Sequence, residues 1–258
     1  MKKYKNIFNL IYVVGNEQIN HFKIFFKIIK KIFNYVNIKN YLHLFYNSVN
    51  FLGNKIKSRN KKNLIFIDDL ILKMNKYVEK KIKKKQIKIK KKKKKIKLIS
   101  ICAIKYQFLK INLQKKIDFN FKNSLNLKGN TGIYIQYTYA RIYSIFKKEK
   151  KIKNIINYKK KNIKSYIDII KQNEINIFKK IFEYKNIIYM SIKNNDVSFL
   201  VNYIYILAKK INNFYQKNKI INNKNINKKN LRLIICKIIL SFLKKNMKVL
   251  GLPILKKI

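Results

Sequence analysis

A nearly continuous apolar run, from Ile7 to Val14, begins the part of the sequence that can be assigned to a fold. The run is rich in β-branched residues and ends at Gly15, which is typical of a strand buried on both faces of a parallel sheet. After Gln18, apolar residues recur at helical spacing: Phe22, Phe25, Phe26, Ile29, Ile32 and Phe33. A strand, a turn and an amphipathic helix form half of a βαβ unit. Gln18 then follows the carboxyl end of the strand, where open α/β sheets bind ligands.

The C-terminal part of the chain carries three apolar stripes at helical spacing. They are Ile135, Tyr139, Ile142 and Phe146, then Leu200, Ile204, Leu207, Ile211 and Phe214, and last Leu231, Ile235, Ile238 and Phe242. Asp196 is placed to cap the second of these helices, and Gly251 with Pro253 signals the end of the third. We therefore predict an α/β part over residues 1–98, followed by an all-α bundle over residues 99–258.

The charge of the chain favours a polyanionic partner. It has 63 Lys and Arg against 10 Asp and Glu, a net charge of +53, and nucleic acid is favoured over a polybasic membrane contact. The excess of Lys, Ile and Asn also indicates nucleotide bias, so the charge alone does not specify RNA. The block from Lys80 to Lys97 predicts a solvated helix face or disorder. Hydrophobic residues make up 48% of the chain, which excludes wholesale disorder.

Several classes of protein are not predicted by this sequence. No stretch offers about 18 apolar residues without charge, so we expect no membrane-spanning helix and a cytoplasmic protein. Cys102 and Cys236 are too few for a disulfide framework, and His21 and His43 lack metal-ligand spacing, so no metal site is expected. There is also no Gly-rich phosphate loop. Taken alone, each cysteine and histidine has a structural interpretation.

One segment has an order of residues that compositional bias does not produce. Residues 129–142 read G-N-T-G-I-Y-I-Q-Y-T-Y-A-R-I and resemble the G-x-T-G-P-Y-L-Q-Y-A-x-A-R-I signature of arginyl-tRNA synthetases. Other segments match the same family in the same order: I-Y-V-V-G-N-E-Q with H-F at 11–22, I-C-A-I-K-Y at 101–106, D-F-N-F at 118–121, F-L-V-N-Y to F-Y at 199–215, and R-L with L-G-L-P at 232–253. The matches span nearly the whole chain.

This resemblance implies both a fold and an activity. The implied fold is the second half of a class I Rossmann catalytic domain, followed by the α-helical anticodon-binding domain. The implied reaction uses arginine and ATP, the latter with Mg²⁺, to make arginyl-adenylate and pyrophosphate, and then transfers arginine to the 3′-terminal adenosine of tRNA(Arg). Composition and spacing do not indicate this reaction.

The resemblance also places candidate site residues. Those matched to arginine and ATP binding are Gln18, His21, His43 and Val49. Lys55, Lys57 and Ser58 lie where the family has its KMSKS-type loop, and the two lysines would stabilise charge on the departing pyrophosphate. In the signature, Gln136, Tyr137 and Arg141 suit stacking on unpaired bases and contact with phosphates. Packing of Tyr137 in the bundle and an ion pair for Arg141 remain open alternatives.

The sequence also departs from the family pattern. The His-x-Gly-His motif with which class I synthetases hold ATP is not present in these residues, and neither is the family's Y-x-T-x-D segment. In the KMSKS-like loop, Lys57 stands at the small-residue position and Ser58 at the place of a catalytic lysine. Ile258 replaces the closing methionine of the family.

Three hypotheses follow from this mixture of matches and departures. In the first, which we prefer, a separate polypeptide supplies the His-x-Gly-His half of the catalytic site, and an apolar face is exposed near Ile7 to Val14. The second is a non-catalytic tRNA-binding module derived from the anticodon-binding domain. The third is a degenerate product that folds poorly and binds any RNA.

Overall fold

The computed structural model describes residues 10–32, 41–51, 54–55, 66–82, 89–148 and 167–257. The chain divides into two compact units. Unit 1 contains residues 1–64 and 111–119, and unit 2 contains residues 65–110 and 120–258.

Unit 1 contains a complete βαβ unit. Strand β1 (Leu10–Gly15) leads through a 3-10 turn (Asn16–Gln18) into helix α1 (Ile19–Ile32), and strand β2 (Tyr41–Tyr46) runs parallel to β1. Tyr12 lies opposite His43 in the register, and the Tyr12 ring packs against Phe22 of α1 at 5.1 Å between ring centroids. The predicted order of strand, turn and amphipathic helix is therefore confirmed.

The predicted burial of β1 on both faces is wrong. Ile11 and Val13 are 47% and 59% exposed, whereas Tyr12 between them contacts the phenylalanines of α1. Successive side chains of a strand point to opposite faces, and α1 covers only the face that Tyr12 occupies. Ile32, predicted to lie on the buried side of α1, is 65% exposed.

A second, three-stranded sheet completes the described part of unit 1. Strand β3 (Val49–Phe51) lies between β4 (Asn54–Lys55), which is antiparallel to it, and β5 (Ile117–Phe119), which is parallel. Asn50 Nδ2 donates to Asp118 Oδ1 at 2.9 Å, and the rings of Phe51 and Phe119 pack at 5.2 Å. A segment distant in sequence thus joins the sheet through β5.

Unit 2 is helical. Its helices are α2 (Ile67–Ile82), α3 (Ile89–Leu109), α4 (Phe121–Ser124), α5 (Gly132–Lys148), α6 (Gln172–Phe182), α7 (Tyr184–Lys193), α8 (Ser198–Lys217) and α9 (Ile226–Val249). Among the described residues, no helix is long and apolar enough to span a bilayer.

The stripes predicted for α5 and α8 face the core of unit 2. Ile135, Tyr139 and Ile142 are buried with Phe146 packed beside them, and all five stripe residues of α8 are buried. On α9, Leu231 and Ile235 are buried and Phe242 packs against the core as predicted, whereas Ile238 is 38% exposed and Ile239 is buried in its place. The buried face of α9 runs through Ile235, Ile239 and Leu243, at a spacing of four residues.

The predicted end of α9 is confirmed, and Asp196 binds the start of α8, although it lies one residue before the N-cap position, which Val197 occupies. Asp196 Oδ1 accepts a hydrogen bond from the backbone N–H of Ser198, the first residue of α8, at 2.9 Å. At the end of α9, Gly251 has φ of +61°, and the backbone N–H of Leu252 donates to the carbonyl of Met247 at 2.8 Å. This left-handed glycine with its back-directed hydrogen bond forms a Schellman motif.

The boundary predicted near residue 98 lies inside α3. The helix continues from Ile89 to Leu109, and the contacts of residues 65–110 assign all of it to unit 2. The described parts of the Lys80 to Lys97 block end α2 and begin α3, where Lys92 Nζ pairs with Glu79 at 3.4 Å. Ile96 is buried, whereas Lys93, Lys94 and Lys97 on the described part of α3 are exposed, in agreement with a solvated helix face.

Candidate nucleic-acid interface

Arg141 brings together residues of α5 and α8. Its Nη1 donates to Asn212 Oδ1 at 3.0 Å, and its Nη2 donates to the hydroxyl of Tyr137 one turn earlier. The guanidinium carbon lies over the Tyr137 ring at 4.5 Å and over the Tyr215 ring at 4.8 Å, within the range of a cation–π interaction. In the part of the chain that the structure describes, no ion pair includes Arg141. The guanidinium therefore faces two aromatic rings and has no carboxylate partner among the described residues.

Asn212 fixes this arrangement from inside the bundle. It is buried, and its Nδ2 donates to Thr138 Oγ1 at 2.7 Å and to the carbonyl of Ala208 at 3.1 Å. These two hydrogen bonds orient the amide so that its oxygen faces Arg141. Sequence reasoning assigned no role to Asn212, although a polar residue beside the apolar stripe of α8 is a usable signal.

An open cleft adjoins Tyr215. It has a volume of about 470 Å³ and is lined by Ile145, Lys148, Tyr215, Asn218, Lys219, Ile220, Ile221 and Asn222. Lys148 and Lys219 are exposed, whereas Ile145 and Ile220 are buried. Apolar and aromatic walls with cations at the rim suit an unpaired base and its flanking phosphates. Sequence reasoning noted Tyr215 only as part of a family match and did not predict the cleft.

Gln136 does not belong to this surface. Its side chain is completely buried, and its Nε2 donates to the carbonyl oxygen of Pro253 at 2.8 Å. The predicted direct contact of Gln136 with tRNA is therefore corrected to a structural role. Helical geometry explains the difference, because residues 136 and 137 point in directions about 100° apart on α5.

The residues before α5 connect α3, α5 and α8. The Tyr106 hydroxyl donates to Asn130 Oδ1, and Asn130 Nδ2 donates to Asn202 Oδ1 at 2.9 Å. Burial raises the pKa of Tyr106, which keeps its hydroxyl protonated and able to donate. A Cβ atom on Gly132 would lie 2.6 Å from the carbonyl oxygen of Cys102, so only glycine permits this helix crossing. Asn130 and Gly132, at the start of the signature segment, therefore fix the position of α5 against α3 and α8.

The candidate arginine-binding and ATP-binding residues lie in unit 1. Gln18 is exposed in the turn after β1, and His21 is exposed on α1. His43, on β2, stacks on Phe22 at 4.5 Å, and its Nε2 is buried without a hydrogen-bond partner among the described residues. Val49 lies on β3, opposite Ile117 of β5. The structure thus brings Gln18, His21 and His43 to one βαβ unit and places Val49 in the other sheet.

The candidate catalytic loop is described only at its first residue. The backbone of Lys55 belongs to β4, next to β3 and its Val49. Lys57 and Ser58 lie outside the described residues.

Comparison with known families and proteins gives a consistent result. Residues 135–258 match the DALR anticodon binding domain, a range that contains Arg141, Tyr215 and the cleft. The chain is 37% identical over 248 residues to the arginine–tRNA ligase of Borrelia duttonii (strain Ly), in an alignment that covers 96% of this chain and 41% of the relative. It is 31% identical over 260 residues to the arginine–tRNA ligase of Flavobacterium psychrophilum, covering 98% and 41%.

Solved structures with the same fold are also synthetases. The arginyl-tRNA synthetase from Plasmodium falciparum superposes with a TM-score of 0.77 at 28% identity, over 97% of this chain and 41% of that chain. The Thermus thermophilus arginyl-tRNA synthetase superposes with a TM-score of 0.81 at 18% identity, over the same fractions, and supports the fold alone. The chain spans about two-fifths of the length of the relatives it matches.

Proposed function

Because the chain is homologous over nearly its whole length to the C-terminal part of arginyl-tRNA synthetases, we propose that it serves the ligation of arginine to tRNA(Arg). In this proposal, Tyr137, Arg141, Tyr215 and the adjoining cleft bind the anticodon loop. The observation that supports it is the position of Arg141 over two tyrosine rings, one of which, Tyr215, lines an open cleft, inside the range that matches the anticodon binding domain.

The chemistry of this surface suits an RNA loop. Unpaired bases stack on aromatic side chains, and each such contact contributes about 1–3 kcal/mol. Arg141 leaves guanidinium N–H groups that its bonds to Asn212 and Tyr137 do not use, and these can donate to a phosphate. Lys148 and Lys219 add exposed cations at the rim of the cleft.

We assign arginine activation to unit 1. The carboxylate of arginine attacks the α-phosphate of ATP, bound with Mg²⁺, and pyrophosphate leaves. The 3′-terminal adenosine of tRNA then attacks the acyl carbon and releases AMP. Gln18 contacts arginine in this scheme, with His21, His43 and Val49 nearby in the substrate site, and Lys55, Lys57 and Ser58 act on the pyrophosphate. This reaction serves protein synthesis in the cytoplasm.

The ATP-binding His-x-Gly-His segment has to come from outside these 258 residues, either in the same polypeptide or in a separate one. The exposed face of β1 supports the proposal that a further segment packs there. Ile11 and Val13 present an apolar strand surface of the kind that α/β sheets cover with a further layer.

A binding experiment on the purified chain tests the tRNA part of the proposal. The affinity for a tRNA(Arg) transcript is measured by fluorescence anisotropy for the unmodified chain and for Tyr215→Ala. We expect Tyr215→Ala to weaken binding by about 10-fold, the loss of one base stack. The matched control is Tyr205→Ala, which removes another α8 tyrosine with a lysine over its ring at 5.6 Å and should leave the affinity unchanged. No binding, or equal losses in both variants, would contradict the proposed site.

Arginylation of the same transcript tests the enzymatic part. The assay uses ATP and labelled arginine, with the chain alone and with a polypeptide that carries His-x-Gly-His. Charging that needs this polypeptide supports the proposed complementation. tRNA binding without charging under either condition would favour a binding module instead.

A further inference from the structure

A buried ion pair connects helices α6 and α9. Arg232 Nε donates to Glu174 Oε1 at 2.8 Å, and the two residues are only 4% and 1% exposed. The other carboxylate oxygen, Glu174 Oε2, accepts a hydrogen bond from the backbone N–H of Lys171 at 2.9 Å. The carboxylate is therefore held at both oxygens, and it orients the guanidinium.

The same guanidinium reaches the loop that lines the cleft. Arg232 Nη1 donates to the backbone carbonyl of Lys219 at 2.9 Å. The next residues of this loop, 220–222, line the cleft together with Asn218, and Asn218 Nδ2 bonds back to the carbonyl of Phe214 in α8. The loop that faces the cleft is thus tied to α9 through Arg232 and to α8 through Asn218.

A buried ion pair is weak evidence for stability. Removing two charges from water costs free energy, and replacing such a pair by apolar residues of similar volume is often neutral or stabilising. The Arg232–Glu174 pair therefore needs another explanation than stability. Through its hydrogen bond to the Lys219 carbonyl, Arg232 sets the position of a backbone segment at the surface.

We propose that Arg232 is a positioning residue for RNA binding. Oriented by Glu174, it holds residues 218–222 so that the cleft and Tyr215 accept unpaired nucleotides of the tRNA. The inference rests on the proposed function of the cleft. It adds a residue that touches no RNA but determines the shape of the surface that does.

Arginine suits this role better than lysine. The planar guanidinium donates from Nε to Glu174 and from Nη1 to Lys219 at the same time, in a fixed fork that an ammonium group does not reproduce. Arg232→Lys keeps the positive charge beside Glu174, whereas the hydrogen bond to the loop is lost.

Two variants separate positioning from stability. Arg232→Lys keeps the buried charge, and the double variant Glu174→Leu/Arg232→Met replaces the pair by apolar residues without leaving a buried charge. We expect the double variant to keep or raise the melting temperature. Both variants should bind tRNA(Arg) about 5- to 10-fold more weakly, because an unfixed loop must be ordered on binding. Tyr203→Phe, which removes a side-chain hydrogen bond to the backbone carbonyl of Lys180 in α6, is the control and should bind tRNA normally.

Arg232→Lys and the double variant Glu174→Leu/Arg232→Met are then each combined with Tyr215→Ala. If Arg232 acts through the cleft, its effect should nearly vanish in the Tyr215→Ala background, since residues that act through one site are not additive. Fully additive losses, or unchanged affinity in both 232 variants, would overturn the inference and leave the proposed function standing. Failure of the unmodified chain to bind tRNA(Arg) would overturn both.

Discussion

Gln136 on α5 donates a hydrogen bond from Nε2 to the backbone carbonyl of Pro253 at 2.8 Å. The two residues are 117 positions apart in sequence, and Gln136 is completely buried. Leu252 and Leu255, on either side of this contact, are buried as well. The C-terminal segment is therefore part of the bundle core, and a residue of the signature motif anchors it.

Replacing Gln136 by leucine should destabilise unit 2. The side-chain volume is nearly kept, and Gln136 Oε1, which has no hydrogen-bond partner among the described residues, is removed, but the bond from Nε2 to the Pro253 carbonyl is lost, which should cost about 0.5–1.5 kcal/mol. Urea denaturation of Gln136→Leu measures this loss in the free energy of unfolding. Gln172→Leu is the control, because Gln172 makes only an exposed bond to Asn176 at 3.4 Å. Equal stability of the two variants would contradict the anchoring role.

Gly132→Ala should destabilise the crossing of α3 and α5. The added methyl group would lie 2.6 Å from the Cys102 carbonyl oxygen and 2.9 Å from Tyr106 Cβ, and such overpacking costs about 1–3 kcal/mol. At Gly129 the nearest atom would be 3.5 Å away on the Asn126 side chain, so Gly129→Ala should have little effect. The melting temperatures of both variants test this prediction. A Gly132→Ala variant more stable than the unmodified chain would contradict the close approach of α3 and α5.

The two cysteine thiols should be unreactive in the folded protein. Burial raises the pKa of Cys236 to about 12 and raises the pKa of Cys102 as well, although Lys105 lowers the latter in part. The thiolate is the reactive form, so a disulfide reagent at pH 8 should label neither cysteine until urea unfolds the chain.

The raised pKa values also predict the sign of a pH effect. Above the ordinary thiol pKa, the unfolded chain releases thiol protons that the folded chain retains, so the contribution of these groups to stability should fall as pH rises. Denaturation of a Cys102→Ala/Cys236→Ala variant shows how much of the fall belongs to the thiols. Rapid labelling of the native chain would contradict the burial of these groups.

Gln18→Ala should reduce arginine activation without reducing tRNA binding. Gln18 follows β1 in unit 1, whereas Arg141 and Tyr215 belong to unit 2. Arginine-dependent ATP–pyrophosphate exchange in the complemented enzyme measures the first property, and anisotropy with tRNA(Arg) measures the second. Asn20→Ala, at an exposed position of α1, is the control for local damage. Equal loss of both properties in Gln18→Ala would exclude the assigned role.

The local elements of this protein could be predicted well from its sequence. The apolar spacing identified α1, α5, α8 and α9, because residues three and four apart share a helix face whatever the rest of the chain does. The hydrogen bond from Asp196 to the start of α8 and the glycine end of α9 were predictable for the same reason. The prediction of buried residues on α9 was less accurate, because Ile238 was predicted to be buried and Ile239 is buried instead. Both neighbouring isoleucines fit a helical stripe, and only the packing partners of α9 decide between them.

The proposed RNA site depends on contacts that residue spacing does not predict. Tyr137 and Arg141 were predicted from one motif, but Asn212 lies 71 positions after Arg141, and no local pattern relates them. The pattern of β1 likewise allowed both burial on two faces and an exposed apolar face, because a buried strand and an uncovered one have the same apolar sequence, and the structure leaves Ile11 and Val13 exposed.

The sequence by itself determined the order of strands and helices, their caps and the family resemblance, because these depend on residues close together in the chain. Only the tertiary structure decided that Gln136 is a core anchor, that Arg141 lies over two tyrosine rings, and that Arg232 joins Glu174 to the cleft loop. The physical reason is that burial and hydrogen bonding of a polar side chain depend on which distant segment packs against it, and that choice belongs to the whole fold.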